Sequence, residues 1–175
     1  PLITNVSVNH PDSVNGMYVA WSRPKDLTLP STSTAYYELS RSDDEQNYSL
    51  IYTSNGIDDT IFFDNSIIAN ENQFFYKVEL FSDFHVLVGG STASSQYLTL
   101  IPQDNGMVLN WQSQIPWQDT AFVIFRKKPN GSVYDSITTV TDATFMDTKL
   151  KNGEIYCYYI EAIGSYSGTK TISPL

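Results

Sequence analysis

Two histidines and one cysteine are all the imidazole and thiol this 175-residue chain carries. Nucleophilic catalysis of the Ser-His-Asp or Cys-His kind needs an imidazole within hydrogen-bond reach of the nucleophile. His10 precedes Pro11 in a turn, and His85 follows Asp83 and Phe84; neither comes with a partner, so both read as surface residues. Cys157 stands alone, which excludes an internal disulfide and cysteine-based zinc chemistry. No Gly-rich phosphate loop is present. Asp43, Asp44 and Glu45 share one loop and Asp58 and Asp59 another, a pattern of solvated turns without the ligand spacing of a calcium loop. The expectation is a chain with no catalytic residue, no cofactor and no metal, and with an unknown binding site.

Composition narrows the partners. The formal net charge is −9, the wrong sign for neutralising phosphates, so a nucleic-acid partner is not expected. Residues 1–97 hold four bases against twelve acids, a net of −8, and residues 98–175 six against seven, a net of −1. The acidic half has two readings, a preference for cations or basic partners and plain solubility, of which solubility is the expected one. No run approaches the roughly 20 apolar residues of a membrane helix, so no membrane insertion is expected. The chain opens on Pro1 rather than Met, which reads as a monomeric fragment of a longer protein, with neighbouring domains of the same chain as partners.

The elements follow from alternation of apolar residues. Ile3, Val6 and Val8 mark a first strand; Met17, Val19 and Trp21 a second; Tyr37, Leu39 and Arg41 a third. Tyr48 to Thr53, Thr60 to Asp64, and Phe74, Tyr76, Val78 and Leu80 give the fourth to sixth. Val86 to Leu98 makes the seventh, bent at Gly89 and Gly90. Aromatic and β-branched residues are frequent, and only 17% of residues are charged, unlike a helix-rich chain. Seven short strands in about 97 residues match an immunoglobulin-like sandwich.

The pattern is then written a second time. Met17-x-Val19-x-Trp21 matches Met107-x-Leu109-x-Trp111, and Tyr37-x-Leu39-x-Arg41 matches Phe122-x-Ile124-x-Arg126. Tyr48 aligns with Tyr134; Thr60, Asp64 and Ile68 align with Thr144, Asp147 and Leu150. Phe74-x-Tyr76-x-Val78-x-Leu80 matches Tyr156-x-Tyr158-x-Ile160-x-Ala162. A repeat reveals its unit. The expected fold class is all-β, two tandem antiparallel β-sandwiches, with domain 1 over 1–97 and domain 2 over 98–175. Tyr97 to Pro102 contains no flexible linker, so a rigid end-to-end rod is expected.

Trp on the second strand, aromatic-x-Leu/Ile-x-Arg on the third, and Leu150-x-x-Gly153-x-x-Tyr156-x-Tyr158-x-Ile160 together resemble fibronectin type III domains. The resemblance implies that Trp21 and Trp111 pack between the sheets. It also implies that Tyr156 forms a tyrosine corner, its ring buried and its hydroxyl bonded to nearby backbone. Phe74, at the matching place in domain 1, lacks that hydroxyl, so its corner is expected to rest on packing alone.

A narrower likeness covers Asn152 to Ser167, which resembles a stretch in gliding-motility-associated surface proteins of bacteria exported by type IX secretion. That resemblance implies an extracellular location at the bacterial outer cell surface. It also leaves Cys157 two readings: a disulfide to a cysteine beyond Leu175, or a small buried apolar residue. By the same alignment the last strand of domain 2 is expected to be incomplete.

Binding features are few. The Pro24–Ala35 loop, with Phe84 and His85 beside it, reads as a contact with a preceding domain or as a binding loop. Trp117 is expected at the domain junction, with stacking on a carbohydrate as the competing role. Asp12-Ser13-Val14, Asp59-Thr60-Ile61, Asp119-Thr120-Ala121 and Asp135-Ser136-Ile137 resemble O-glycosylation sites of such bacteria, or arise by chance in a Ser/Thr-rich chain. Three functions stay open: a noncatalytic spacer or adhesion module of an exported surface protein, a carbohydrate-binding accessory module of a secreted polysaccharide-degrading enzyme, or a receptor-type protein-binding module. The partner is an unknown protein or glycan.

Overall fold

The computed structural model describes residues 1–8, 10–12, 15–25, 34–83, 85–166 and 170–172, the last three as backbone. Fifteen strands and no helix occupy them. The chain divides into two compact units, Pro1–Ser95 with Ser113–Pro116, and Gln96–Gln112 with Trp117–Leu175.

In the first unit the strands are β1 (Leu2–Val8), β2 (Asn15–Ser22), β3 (Ala35–Ser42), β4 (Ser49–Thr53), β5 (Ile61–Ile68), β6 (Phe75–Ser82), β7 (His85–Val88) and β8 (Thr92–Ser94). One antiparallel sheet runs β1-β2-β5; the other runs β4-β3-β6, with β7 and β8 both paired to β6. Period-two alternation makes each strand two-faced. Tyr76, Val78 and Leu80 on β6 are buried, and so are Tyr37 and Leu39 on β3 and Met17, Val19 and Trp21 on β2. Fully burying each aliphatic side chain among them stabilises the unit by roughly 1.5–3 kcal/mol. The Trp21 ring of one sheet meets Tyr37 of the other edge-on at 5.7 Å, so the inner faces interdigitate.

The second unit repeats the plan with β9 (Tyr97–Gln103), β10 (Gly106–Gln112), β11 (Gln118–Lys127), β12 (Tyr134–Val140), β13 (Thr144–Thr148), β14 (Cys157–Tyr166) and β15 (Lys170–Ile172). Its sheets are β13-β10-β9 and β12-β11-β14-β15. Leu109, Trp111, Phe122, Ile124 and Ala162 form its core, with Trp111 edge-on to Phe122 at 5.2 Å. Two antiparallel sandwiches with this strand order are fibronectin-type-III-like and immunoglobulin-like in architecture, the expected fold class.

Two details differ from the expected strands. The seventh strand is two strands, β7 and β8, separated at Gly89–Gly90. A Cβ on Gly90 would lie 1.2 Å from the Val78 carbonyl oxygen, so no other residue fits where the chain runs beside β6 between its two pairings. Tyr97 and Leu98 do not end the first sandwich; they pair with Gln112 and Trp111 inside the second. Their alternation is the same in either sheet, and only the pairing partner assigns them. The last strand pairs three residues with β14, Gly164 to Tyr166 opposite Ile172 to Lys170. Most of the Pro24–Ala35 loop, Phe84, and the Ser13-Val14 part of one Asp-Ser-Val sequence lie outside the described residues.

Candidate functional site

Each sandwich contains a buried charged cluster that joins its two sheets. Arg41 on β3 stands directly opposite Tyr76 on β6. Both reach across the core to Asp64 on β5, which is 2% exposed. Arg41 Nη1 donates to Asp64 Oδ2 at 2.6 Å, and the Tyr76 hydroxyl donates to the same oxygen at 3.1 Å. Ser66 closes the set, its hydroxyl donating to Asp64 Oδ1 at 2.7 Å and accepting from Arg41 at 2.8 Å.

The second unit reproduces this arrangement. Arg126 on β11 stands opposite Tyr158 on β14. Arg126 Nη1 donates to both oxygens of Asp147 on β13, at 2.9 and 2.8 Å, and the Tyr158 hydroxyl donates to Asp147 Oδ2 at 2.8 Å. A buried carboxylate is tolerated only when its lone pairs are answered, and here a cation and a phenol answer them. Burial pushes the Asp64 carboxyl up, but the bonds from Ser66 and Arg41 outweigh it and hold it below its ordinary value. Burial, reinforced by the neighbouring carboxylate, drives the Tyr76 and Tyr158 phenols far above theirs. These groups are locked donors and acceptors, poised for structure rather than for proton transfer. All six residues are repeat-aligned in the sequence, Arg41 with Arg126, Asp64 with Asp147 and Tyr76 with Tyr158. The signal was present: Arg41 continues the buried phase of Tyr37-x-Leu39, so a charge sits on a core position, twice.

The residues singled out from sequence fall as follows. Trp21 and Trp111 are buried in their cores. Phe74 is buried just before β6, with the Arg41 guanidinium 5.8 Å from its ring centre. Its corner does not rest on packing alone, as expected, because the Phe74 N–H donates to Ser95 Oγ and the Ser95 N–H donates to the Phe74 carbonyl. Tyr156, the matching residue, is half-buried rather than buried. Its hydroxyl accepts from the Lys151 backbone N–H at 3.2 Å and donates to Glu154. The ring sits at the start of β14 beneath Arg126, at 5.8 Å, where the sandwich end leaves part of it to solvent.

Cys157 is a half-buried free thiol at the first position of β14, opposite Lys127. It lies on the outward phase of that strand. The same face carries Phe125 stacked on Tyr159 at 4.4 Å, with Tyr134 edge-on to Tyr159 at 4.9 Å. Trp117 packs edge-on against Tyr166 at 5.7 Å, and its indole N–H donates to Asp119 at 3.1 Å. Gln96 donates to the other Asp119 oxygen at 3.0 Å. Burial raises the Asp119 carboxyl, only partly countered by these two donors. Gly164 lies beneath the pair, where a Cβ would come within 2.9 Å of the Trp117 ring. All of these partners belong to the second unit.

His10 and His85 are both exposed. His10 accepts the Asp12 backbone N–H in a local turn. Among the described residues no group of three or more His, Cys, Asp or Glu could hold a metal ion, and no helix is long and apolar enough to cross a membrane. Asp44 accepts from Ser42, Gln46 and Asn47, which identifies the Asp43–Glu45 loop as a self-satisfied Asx turn.

No family model matches the chain, and no curated protein matches it. Among solved structures, a two-domain fibronectin type-III segment from chicken tenascin is similar. It is 14% identical, over 99% of this chain and 97% of that one, with a TM-score of 0.40.

Proposed function

We propose that the chain is a noncatalytic spacer or adhesion module of a large exported bacterial cell-surface protein. The observation that carries this reading is the duplicated inter-sheet lock. Both sandwiches set an Arg and a Tyr on a buried Asp at the same three positions and use them to tie one sheet to the other. Groups that could do acid–base chemistry are thereby committed to holding a shape. The likeness of Asn152 to Ser167 to type IX-exported surface proteins supplies the location in this proposal.

Stretching the chain between terminal handles by single-molecule force spectroscopy tests the mechanical part. Two discrete unfolding steps are expected, each releasing roughly 30 nm of chain at about 3.5 Å per residue. A featureless extension would contradict a spacer. Protease shaving of intact source cells tests the location: loss of the module's antibody signal from protease-treated cells, and not from untreated ones, is expected, and protection would count against surface display.

A second reading is favoured by the Trp117–Tyr166 pair with Asp119 and Gln96 beside it, since aromatic rings flanked by a carboxylate and an amide can hold a sugar. Glycan-array binding abolished by Trp117→Ala, with the melting temperature kept, would establish that carbohydrate-binding role instead.

A further inference from the structure

The sheet edge at β7 differs from the rest of its strand line. Val86, Leu87 and Val88 are 54%, 45% and 37% exposed, and His85 is exposed as well, so neither face of this strand has a core beneath it. What holds β7 is its ladder to β6, through Ser82–His85, Phe81–Val86 and Leu80–Val88. Beyond the Gly89–Gly90 break the same edge is closed. Ala93 and Ser94 of β8 are buried, and the Ile3 N–H of β1 donates to Ser91 Oγ at 2.7 Å. Among the described residues no strand pairs with the outer edge of β7, and that edge contains no Lys or Pro; its four-residue length and the irregularity between Leu80 and Phe81 confine any added strand to a short ladder.

The outer face beside this edge has a defined chemistry. Tyr36 on β3 stacks on Phe81 on β6 at 5.5 Å, and Val86 on β7 stands opposite Phe81, so an apolar row runs to the free edge. One row on, Glu38 stands directly opposite Glu79. Like charges in opposed positions repel across a sheet. Lys77, two residues back on the same face of β6, pairs with Glu79 at 2.9 Å. Asp83 lies exposed in the turn that leads into β7. A strand added outside β7 would lie about 10 Å, or two strand spacings, from β6, a gap that an extended Arg and the Glu79 side chain close together, whereas Glu38 lies one spacing further off.

We propose that the β7 edge is a docking site for an extended basic segment of a partner protein, bound by strand addition. Backbone hydrogen bonds to β7 supply the register. Apolar residues of the segment cover Val86 and Phe81, and its Arg or Lys side chains answer Glu79 and Asp83. A second copy of this chain is a poor occupant: residues 1–97 carry a net −8, so copies repel, and a four-residue edge buries little of what a stable dimer needs. This surface goes beyond the spacing role and does not depend on it.

The test uses the whole chain and two fluorescein-labelled octapeptides, one alternating valine with arginine and one alternating valine with glutamate. Anisotropy measures binding, and hydrogen exchange locates it. The arginine peptide is expected to bind, to protect the amides of 85–88, and to bind at least about tenfold more tightly than the glutamate peptide at low salt. Glu79→Gln with Asp83→Asn should bring the two peptides to within about threefold of each other. Val86→Lys with Val88→Lys should abolish protection of 85–88. Equal affinity of the two peptides for the unaltered chain would overturn the proposal, as would protection elsewhere with 85–88 unchanged. Sedimentation showing a dimer that itself protects 85–88 would overturn it too, by giving the edge to a second copy.

Discussion

Replacing Asp64 by asparagine keeps the shape of the first inter-sheet lock and removes its charge. The unaltered carboxylate is almost wholly buried and accepts from Arg41, Tyr76 and Ser66. Breaking a buried ion pair from one side costs about 3–5 kcal/mol, because the remaining charge is left without its counterion. Arg41 softens that cost: its side chain is 24% exposed, it keeps Ser66, and it lies over Phe74. A loss of about 2–3 kcal/mol at pH 7 is therefore expected for Asp64→Asn, below the fully buried range. Its pH dependence is the sharper test. The Asp64 carboxyl is held below its ordinary value in the fold, so its stabilisation is fully present above the unfolded value of about 3.9 and fades as pH falls toward the folded one. The gap between Asp64→Asn and the unaltered chain should be constant from pH 7 to about 5 and should shrink below about 4. Urea titration, with hydrogen exchange over 35–42 to assign the change to β3, measures both. A loss under about 0.5 kcal/mol at pH 7, or a gap that stays constant down to pH 3, would refute the idea that a charged lock holds the sheets.

Alkaline titration should show the phenols in the opposite sense. Tyr76 and Tyr158 are held protonated by burial and by their carboxylate partners, and hydrogen bonding to Asp59 pushes Tyr52 up to about 12. Stability from these groups is present below about pH 10, the unfolded value, and is lost as pH rises through the folded ones. Absorbance at 295 nm should therefore record Tyr76 and Tyr158 ionising only as the fold is lost; their ionisation near pH 10 in a folded chain would contradict the clusters. Gly90→Ala forces a methyl onto the Val78 carbonyl oxygen and should cost about 3 kcal/mol or more, with circular dichroism and exchange at 85–94 showing β7 and β8 displaced; a neutral result would mean the close approach to β6 is not required.

How far the sequence could be read depended on how local the cause was. Alternation alone located β2, β3 and β6, because inward and outward faces differ along each strand. The tryptophans were legible as core for the same reason. Tyr97 and Leu98 were misplaced because alternation shows that a residue faces a core and not which core. The corners at Phe74 and Tyr156 were half legible: their positions were, but Ser95 bonding to the Phe74 backbone depends on a turn brought in from 21 residues away. The open edge at β7 was not legible, since exposure on both faces is a property of what fails to pack there.

What the amino-acid order determined by itself is the unit and its duplication, because apolar period and repeat length are local or self-referential quantities. Three-dimensional packing alone decided the lock. Arg41, Asp64 and Tyr76 lie on three strands of two sheets, and nothing in their spacing brings them together. The low dielectric of the closed core then makes their pairing obligatory, since an Asp so buried has to find donors or give up its charge.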